Sequence, residues 1–362
     1  MTFYPHPIDY AIGLKHVLTH LKLDAEFKMT PDTFIVEEIV DFQSLGLSRD
    51  RGEYAVLKIT KRSMDTLHVK RIIAGELGIP ESNLIHLGLK DKESTSTQYF
   101  FVKRLLLTES RSELPGDRFK ASLIGYTRFK PSRRFLIGNS FTILVEGARE
   151  SDVGRAGMIL GLIEALGLPS YYGYQRFGVE RPVTHLLGKY FLTRREDLFS
   201  RTLLRDFYPW EKPETISSRL TGRFPRRLFY ERLYAKSPAS TGMSMVDESL
   251  SHILIEAYSS YLFNLLLNKI IDECGWACLN RVLPTPGCKG AEALYYEILK
   301  TEGLTGFNVG ELGCWWREGL FRPSGIGVSV DQGVLRIRFT LNPGLYASIV
   351  LRELFKENLI LK

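Results

Sequence analysis

Cysteine is scarce in this chain: 362 residues contain four, at positions 274, 278, 288 and 314. Their spacing includes no CxxC pair and no histidine cluster adjoins them, which argues against a zinc site and predicts buried, reduced thiols with no metal. Long hydrophobic runs are also missing. No stretch approaches the ~18 apolar residues of a membrane span, and the opening MTFYPHPIDYAIGLKHVLTH interrupts any apolar core with histidines and prolines, so neither a signal peptide nor a membrane association is expected. The chain carries no Walker loop, no GxSxG elbow, no internal repeat and no low-complexity tract. A soluble cytoplasmic protein is the expectation.

What is present points toward a polyanion. Lysine and arginine number 48 against 41 acidic residues, a formal net charge of +7, and the sequence pI is about 9.1. That excess suits nucleic acid without requiring it. Hydrophobic residues at 44% and charged residues at 25% give an ordinary globular balance. The length exceeds a usual single core, so one large domain with an inserted or appended module is expected.

Apolar alternation predicts strands at Thr33–Val40, Tyr54–Thr60, Tyr99–Leu107 and Ser140–Glu146, and helical spacing predicts a helix over Met64–Leu77 with Gly78 as its stop. Strands and helices mix without strict alternation. The pattern therefore predicts an α+β fold with a mixed, largely antiparallel sheet, since doubly wound parallel sheets need a crossover helix after nearly every strand. Spacing turns helical from Ser151 to Leu166. After Gly167 aromatic and basic residues increase, and Ile253–Ile271 forms the clearest helix of that region. Strand-like alternation returns at Val334–Leu341, followed by an amphipathic helix over Ala347–Phe355. A first part at 1–166, an inserted α/β module at 167–319 and a closing part at 320–362 are the expected divisions.

The most suggestive local feature is GLKDKESTSTQYFFV, residues 88–102, in which Asp91 sits between Lys90 and Lys92 in a polar loop. Flanking cations would hold this carboxylate ionised at neutral pH, as a nucleophile or base must be; read alone, a KDK tripeptide also suits a solvated turn. Two stretches interleave positive charge with aromatic rings. Phe119–Phe135 contains Lys120, Arg128, Lys130, Arg133 and Arg134, and Arg219–Lys236 contains Arg223, Arg226, Arg227 and Arg232. Both suit a nucleic acid, whose phosphates take the cations and whose unstacked bases take the rings; ordinary surface charge is the bland alternative.

The segment around Asp91 resembles the KDKxAxTxQ motif of the TruD family of transfer RNA pseudouridine synthases, with Lys90, Asp91, Lys92 and Gln98 matching and Ser94 and Ser96 substituted. FKMTPDTFIVEE resembles that family's KxxPxDFxVxE pattern through Lys28, Phe34, Val36 and Glu38. GNSF supplies Asn139 and Phe141 for its NxF motif. PSYYGYQRFG resembles PNYFGxQRFG, retaining Tyr171, Gly173 and Gln175 to Gly178, with Ser170 and Tyr172 as departures. LNPGLYASIVLREL resembles the closing LPxGSYATxVLREL, with Asn342, Leu345 and Ser348 substituted. SYLFN at 260–264 and THLLGK at 184–189 are similar to further segments of that family. The resemblance runs from Lys28 to Leu354 and is weakest across 190–245.

The resemblance implies a pseudouridine synthase fold interrupted by the family's inserted (TRUD) module, and a uridine isomerase acting on transfer RNA, usually at uridine-13 of the dihydrouridine arm. It implies no cofactor, since the reaction adds and removes no net atom, and no obligatory protein partner is expected. Asp91 takes the part of the catalytic carboxylate, and Lys28 is the cation best placed by the motif to orient it. Phe141, or Phe34, would face a flipped base. Asn139 and Gln98 would hydrogen-bond that base or brace the loop. Lys90 and Lys92 would meet solvent or phosphate, and Arg176 would touch the RNA or clamp the junction with the insert. Glu38 reads as structural, paired with a lysine. None of the seven histidines is assigned a role.

Overall fold

In the computed structural model, residues 4–361 are described except 91, 108–112, 209–210, 212, 221–242 and 244–245. Asp91 and the basic residues at 223, 226, 227 and 232 thus lie outside the described residues.

Sixteen described strands run along the chain. They are β1 (Phe27–Lys28), β2 (Phe34–Val40), β3 (Leu47–Ser48), β4 (Tyr54–Arg62), β5 (Ile85–His86), β6 (Thr95–Lys103), β7 (Glu113–Gly116) and β8 (Phe119–Thr127). There follow β9 (Leu136–Val145), β10 (Leu168–Pro169), β11 (Val282–Pro284), β12 (Trp316–Glu318), β13 (Leu320–Phe321), β14 (Ser324–Asp331), β15 (Val334–Leu341) and β16 (Leu359–Ile360). Ten of them make one sheet, ordered β14-β15-β9-β2-β6-β4-β8-β3, with β5 added beside β6 and β7 beside β8. Only β2 and β6 pair in parallel within it. The sheet is mixed and largely antiparallel, as the lack of strict strand–helix alternation predicts. Hairpin β14–β15 lies against β9, with Phe339 opposite Phe141 and Leu341 opposite Asn139. The chain therefore leaves the sheet after Val145 and rejoins it at Ser324; no described residue of 167–319 adds a strand to it.

Strand β2 shows why the sheet has one working face. Phe34, Val36, Glu38 and Val40 alternate inward as buried residues, and across the ladder Val36 sits opposite Phe141 and Glu38 opposite Asn139. On this face two cores form. The larger collects Phe34, Val36, Phe141, Ile143 and Phe339 under the helices Glu150–Leu166, Glu248–Cys274 and Ala347–Phe355. The smaller packs the helix Thr66–Glu76 on Leu57, Ile59, Phe100 and Ala121. Between them the inward positions turn polar, since Glu38, Lys61, Ser96 and Gln98 are all buried. Burying such groups costs free energy unless they are hydrogen-bonded; Glu38, Lys61 and the Gln98 carbonyl find partners, while Ser96 Oγ and Gln98 Nε2 find none among the described residues.

Helix limits follow local chemistry. Asp65 caps Thr66–Glu76 by accepting from His68 N–H (2.8 Å), and Asp247 caps Glu248–Cys274 through Leu250 N–H (2.8 Å). Gly167, at φ +75°, ends Glu150–Leu166. The expectation of four reduced thiols is corrected: Cys274 pairs with Cys278 and Cys288 with Cys314, and no cysteine is free. The second pair is a product of tertiary structure, because the β11–β12 ladder sets Pro284 opposite Trp316 and folds the two flanking turns together. No described helix is long and apolar enough to cross a membrane.

Candidate active-site cleft

The polar band opens into a cleft of about 380 Å³ lined by residues from five separated segments: Phe34 and Val36, Leu89 and Lys90, Asn139 and Phe141, Gln175 and Arg176, and Gly344 to Ser348. Its volume falls within the range of small-molecule pockets. Phe141 forms the aromatic floor. It is 7% exposed, stacks on Phe339 (5.3 Å, 24°) and leans on Phe34 (5.8 Å).

Lys90 and Glu38 meet at the inner wall. The ammonium lies 2.7 Å from Glu38 Oε1, and the two side chains are 4% and 1% exposed. Tyr99 N–H donates to the other carboxylate oxygen (3.1 Å), so both oxygens of Glu38 are engaged. The backbone is held as well. Lys90 N–H donates to Thr66 Oγ1 (2.9 Å), and the Thr66 hydroxyl donates to Gln98 Oε1 (3.0 Å). Lys61 Nζ donates to the carbonyl of Met64 (2.5 Å). The residue preceding Asp91 is thus fixed through side chain and backbone. Gln98 lies in this support and not in the lining.

Asn139 lies beside Glu38 on β9, and its buried Oδ1 finds no donor among the described residues. A buried acceptor without a partner is disfavoured by one to three kcal/mol in rough terms. His86 is held below its usual pKa by burial first, then by the positive charges of Lys70, Arg133 and Lys90.

The remaining expected residues are dispersed. Lys28 is exposed on β1 and absent from the lining, although the loop it opens reaches the motif: Thr95 Oγ1 donates to Pro31 O (2.6 Å). Lys92 is exposed and also outside the lining. Arg176 does line the cleft, and its guanidinium donates to Ser260 Oγ (3.1 Å) and Glu256 Oε2 (2.8 Å), tying the wall to the long helix of the 167–319 segment.

Sequence reading passed over the residues that position this wall. Tyr172 N–H donates to Asn264 Oδ1 (2.8 Å), while Asn264 Nδ2 donates back to Tyr172 O (3.2 Å) and to Ile12 O (3.0 Å). Arg317 lies over the Tyr172 ring (4.3 Å) and donates to Ser170 O (2.9 Å) and Gly344 O (2.8 Å). Gly173 must be glycine, since a Cβ there would come within 2.4 Å of Ser348 Oγ and 3.0 Å of Tyr346. The closing helix clamps the N-terminal segment: Arg352 pairs with buried Asp9 (3.0 Å), which accepts from the Tyr174 hydroxyl (2.7 Å). Asn264 was visible in SYLFN and Arg352 in VLREL. Arg317 and Asp9 carried no local signal.

A family model described as tRNA pseudouridine synthase D (TruD) matches residues 12–282. The chain belongs to the TruD family. A relative from Archaeoglobus fulgidus named "Probable tRNA pseudouridine synthase D" is 30% identical over 285 residues, covering 74% of this chain and 68% of its own. The tRNA pseudouridine synthase D of Aquifex aeolicus is 26% identical over 388 residues, covering 92% and 98%. A crystal structure of a TruD protein from Methanosarcina mazei superposes with a TM-score of 0.69 at 23% identity, covering 96% of this chain and 97% of that one. Its likeness establishes the shared fold. Within this TruD chain, the segments matching family motifs at Phe34, Lys90, Asn139, Gln175 and Gly344 are those that meet at the cleft.

Proposed function

We propose that this chain is a tRNA pseudouridine synthase that converts one uridine, uridine-13 of the dihydrouridine arm, with Asp91 as its catalytic carboxylate. One observation carries the reading: segments some 300 residues apart, each matching a TruD motif, line a single cleft that includes Lys90, the chain neighbour of Asp91.

The reaction breaks the C1′–N1 glycosidic bond and forms C1′–C5; the C5 proton departs, N1 gains one, and no oxidant or cofactor takes part. A stacked uridine exposes neither face of that bond, so the base must turn out of its helix. In this reading the everted uracil rests on Phe141, with Phe34 behind it, and an N–H of the ring meets Asn139 Oδ1, which has no partner among the described residues. Asp91 acts at the sugar or the base. The ammonium of Lys90 is engaged by Glu38; Lys28, on β1 just before the loop bonded to Thr95, is the cation assigned to hold Asp91 ionised, with the buried Lys61 ammonium, 3.4 Å from the carbonyl of Lys90, a second cation beside that peptide. Gln98 steadies the loop through Thr66, Lys92 is left for phosphate, and Arg176 is braced within the inserted module (167–319) by Ser260 and Glu256, while its neighbour Gln175 accepts from the Ser348 hydroxyl of the catalytic part (1–166 and 320–362).

The test is incubation of unmodified tRNA with the protein, followed by carbodiimide treatment and primer extension. A single new stop that vanishes with Asp91→Ala is expected. Identical blank lanes for both proteins on all cellular RNA would sink the proposal.

A further inference from the structure

The cleft accounts for one nucleotide, and a folded RNA must be held elsewhere too. The connection from β8 to β9 has the chemistry for it. Arg128, Lys130, Arg133 and Arg134 are all exposed along it, and none has a carboxylate partner among the described residues. Two of these guanidiniums lie over rings, Arg128 over Phe129 (5.5 Å) and Arg134 over Phe135 (4.6 Å). Arg104 extends the row over Tyr126 (4.3 Å). Phe129 is itself 48% exposed, a large apolar ring left in water beside four cations.

This ledge is continuous with the cleft. Arg133 acts electrostatically on His86 together with Lys90. Leu136, next after the turn Arg133–Phe135, lies 3.5 Å from where a Cβ on Gly88 would stand, beside Lys90 Nζ. Strand β9 then leads directly to Asn139.

We infer that the 128–135 ledge is a second RNA-contacting surface, gripping phosphodiester backbone next to the everted nucleotide and offering Phe129 to an unstacked base. The inference rests on the synthase reading for its ligand. Stacked guanidiniums keep their N–H edges free for phosphate while their orientation is already fixed, which lowers the entropy lost on binding. Four unneutralised cations in a row attract a polyanion and release its counterions.

The test compares charge-matched pairs in the full chain. R133Q/R134Q and R128Q/K130Q remove ledge cations; R336Q/R338Q removes two exposed arginines from the solvent side of β15, away from the cleft residues. Binding of unmodified tRNA is measured by filter retention from about 50 to 200 mM salt, with thermal melts to show that each variant folds. Each ledge pair is expected to weaken binding several-fold and flatten the log affinity against log salt slope by about 2, one per lost phosphate contact. The β15 pair should leave both unchanged. Equal losses in all three would reduce the effect to net charge and overturn the ledge, as would ledge variants that bind like wild type. Binding is read without turnover, so the two ideas fail separately. Wild type that binds through the ledge yet makes no pseudouridine sinks only the synthase reading; wild type that makes it while R133Q/R134Q binds normally sinks only the ledge.

Discussion

Replacing Glu38 is the sharpest perturbation of this site, because it removes one half of an ion pair whose side chains are 1% and 4% exposed. Glu38→Leu strands the Lys90 ammonium in a low-dielectric wall, and Lys90→Met strands the carboxylate. Breaking a buried pair from either side is worth about 3–5 kcal/mol, a large share of the 5–15 kcal/mol that roughly separates folded from unfolded chains. Replacing both with apolar groups removes the stranded charge, since well-packed hydrophobic substitutes for a buried pair are often neutral. Tyr99 N–H still loses its acceptor, which leaves a deficit of about 1–2 kcal/mol. The singles should therefore fall by about 3–5 kcal/mol each, and Glu38→Leu/Lys90→Met by only about 1–2. The assay is urea unfolding of all four proteins at constant m-value, with the coupling energy taken from the cycle. Activity should not recover with stability. Lys90 is covalently next to Asp91, and a misplacement of about 1 Å can slow an enzyme some hundredfold, so single-turnover pseudouridine formation by the double variant should stay at least tenfold down, roughly. Additive singles, with coupling below about 1 kcal/mol, would show that the pair is not a buried tether and would refute the reasoning.

Three further outcomes follow from the same geometry. Asn139→Ala removes a buried cleft acceptor that has no donor among the described residues; kcat/KM should drop by about 5- to 150-fold, corresponding to roughly 1–3 kcal/mol, with little change in the thermal midpoint. His185 is fully buried against Phe177 and Tyr261, and burial pushes its pKa down to about 3 from an ordinary 6.5. The unfolded chain therefore binds a proton that the folded one refuses. This contribution to stability is intact above pH 6.5 and is lost as pH falls toward 3, by up to about 1.4 kcal/mol per pH unit. Unfolding free energies of wild type and His185→Gln should converge in acid, and parallel curves would contradict the assignment. Arg352→Met leaves Asp9 without its cation inside the core; limited proteolysis should then cut within residues 4–25 at protease levels that spare wild type, alongside a loss of about 3–5 kcal/mol. Unchanged resistance would mean that other contacts dock the N-terminal segment.

Much of this protein is written locally. The period-two pattern of Thr33–Val40 led to β2, and the spacing after Met64 led to the helix Thr66–Glu76 with its Gly78 stop, because burial on one face selects residues at the period of the element. That Glu38 is structural and pairs a lysine was expected from the resemblance to a family whose reaction depends on one acid, and it pairs with Lys90. Strand β14 was not, since its SGIGVSVD sequence sits exposed at the sheet edge and burial leaves little mark there. What only tertiary structure decided is which distant residues share a space. Nothing in the chain's local pattern says that Arg317 covers Tyr172, that Asp9 meets Arg352, that Cys288 faces Cys314, or that Lys90 turns inward to Glu38 while Lys92 stays in water. Periodicity reports the face a residue occupies; its partners across that face are set by strand order and by the return of the chain after 320, which no local window contains.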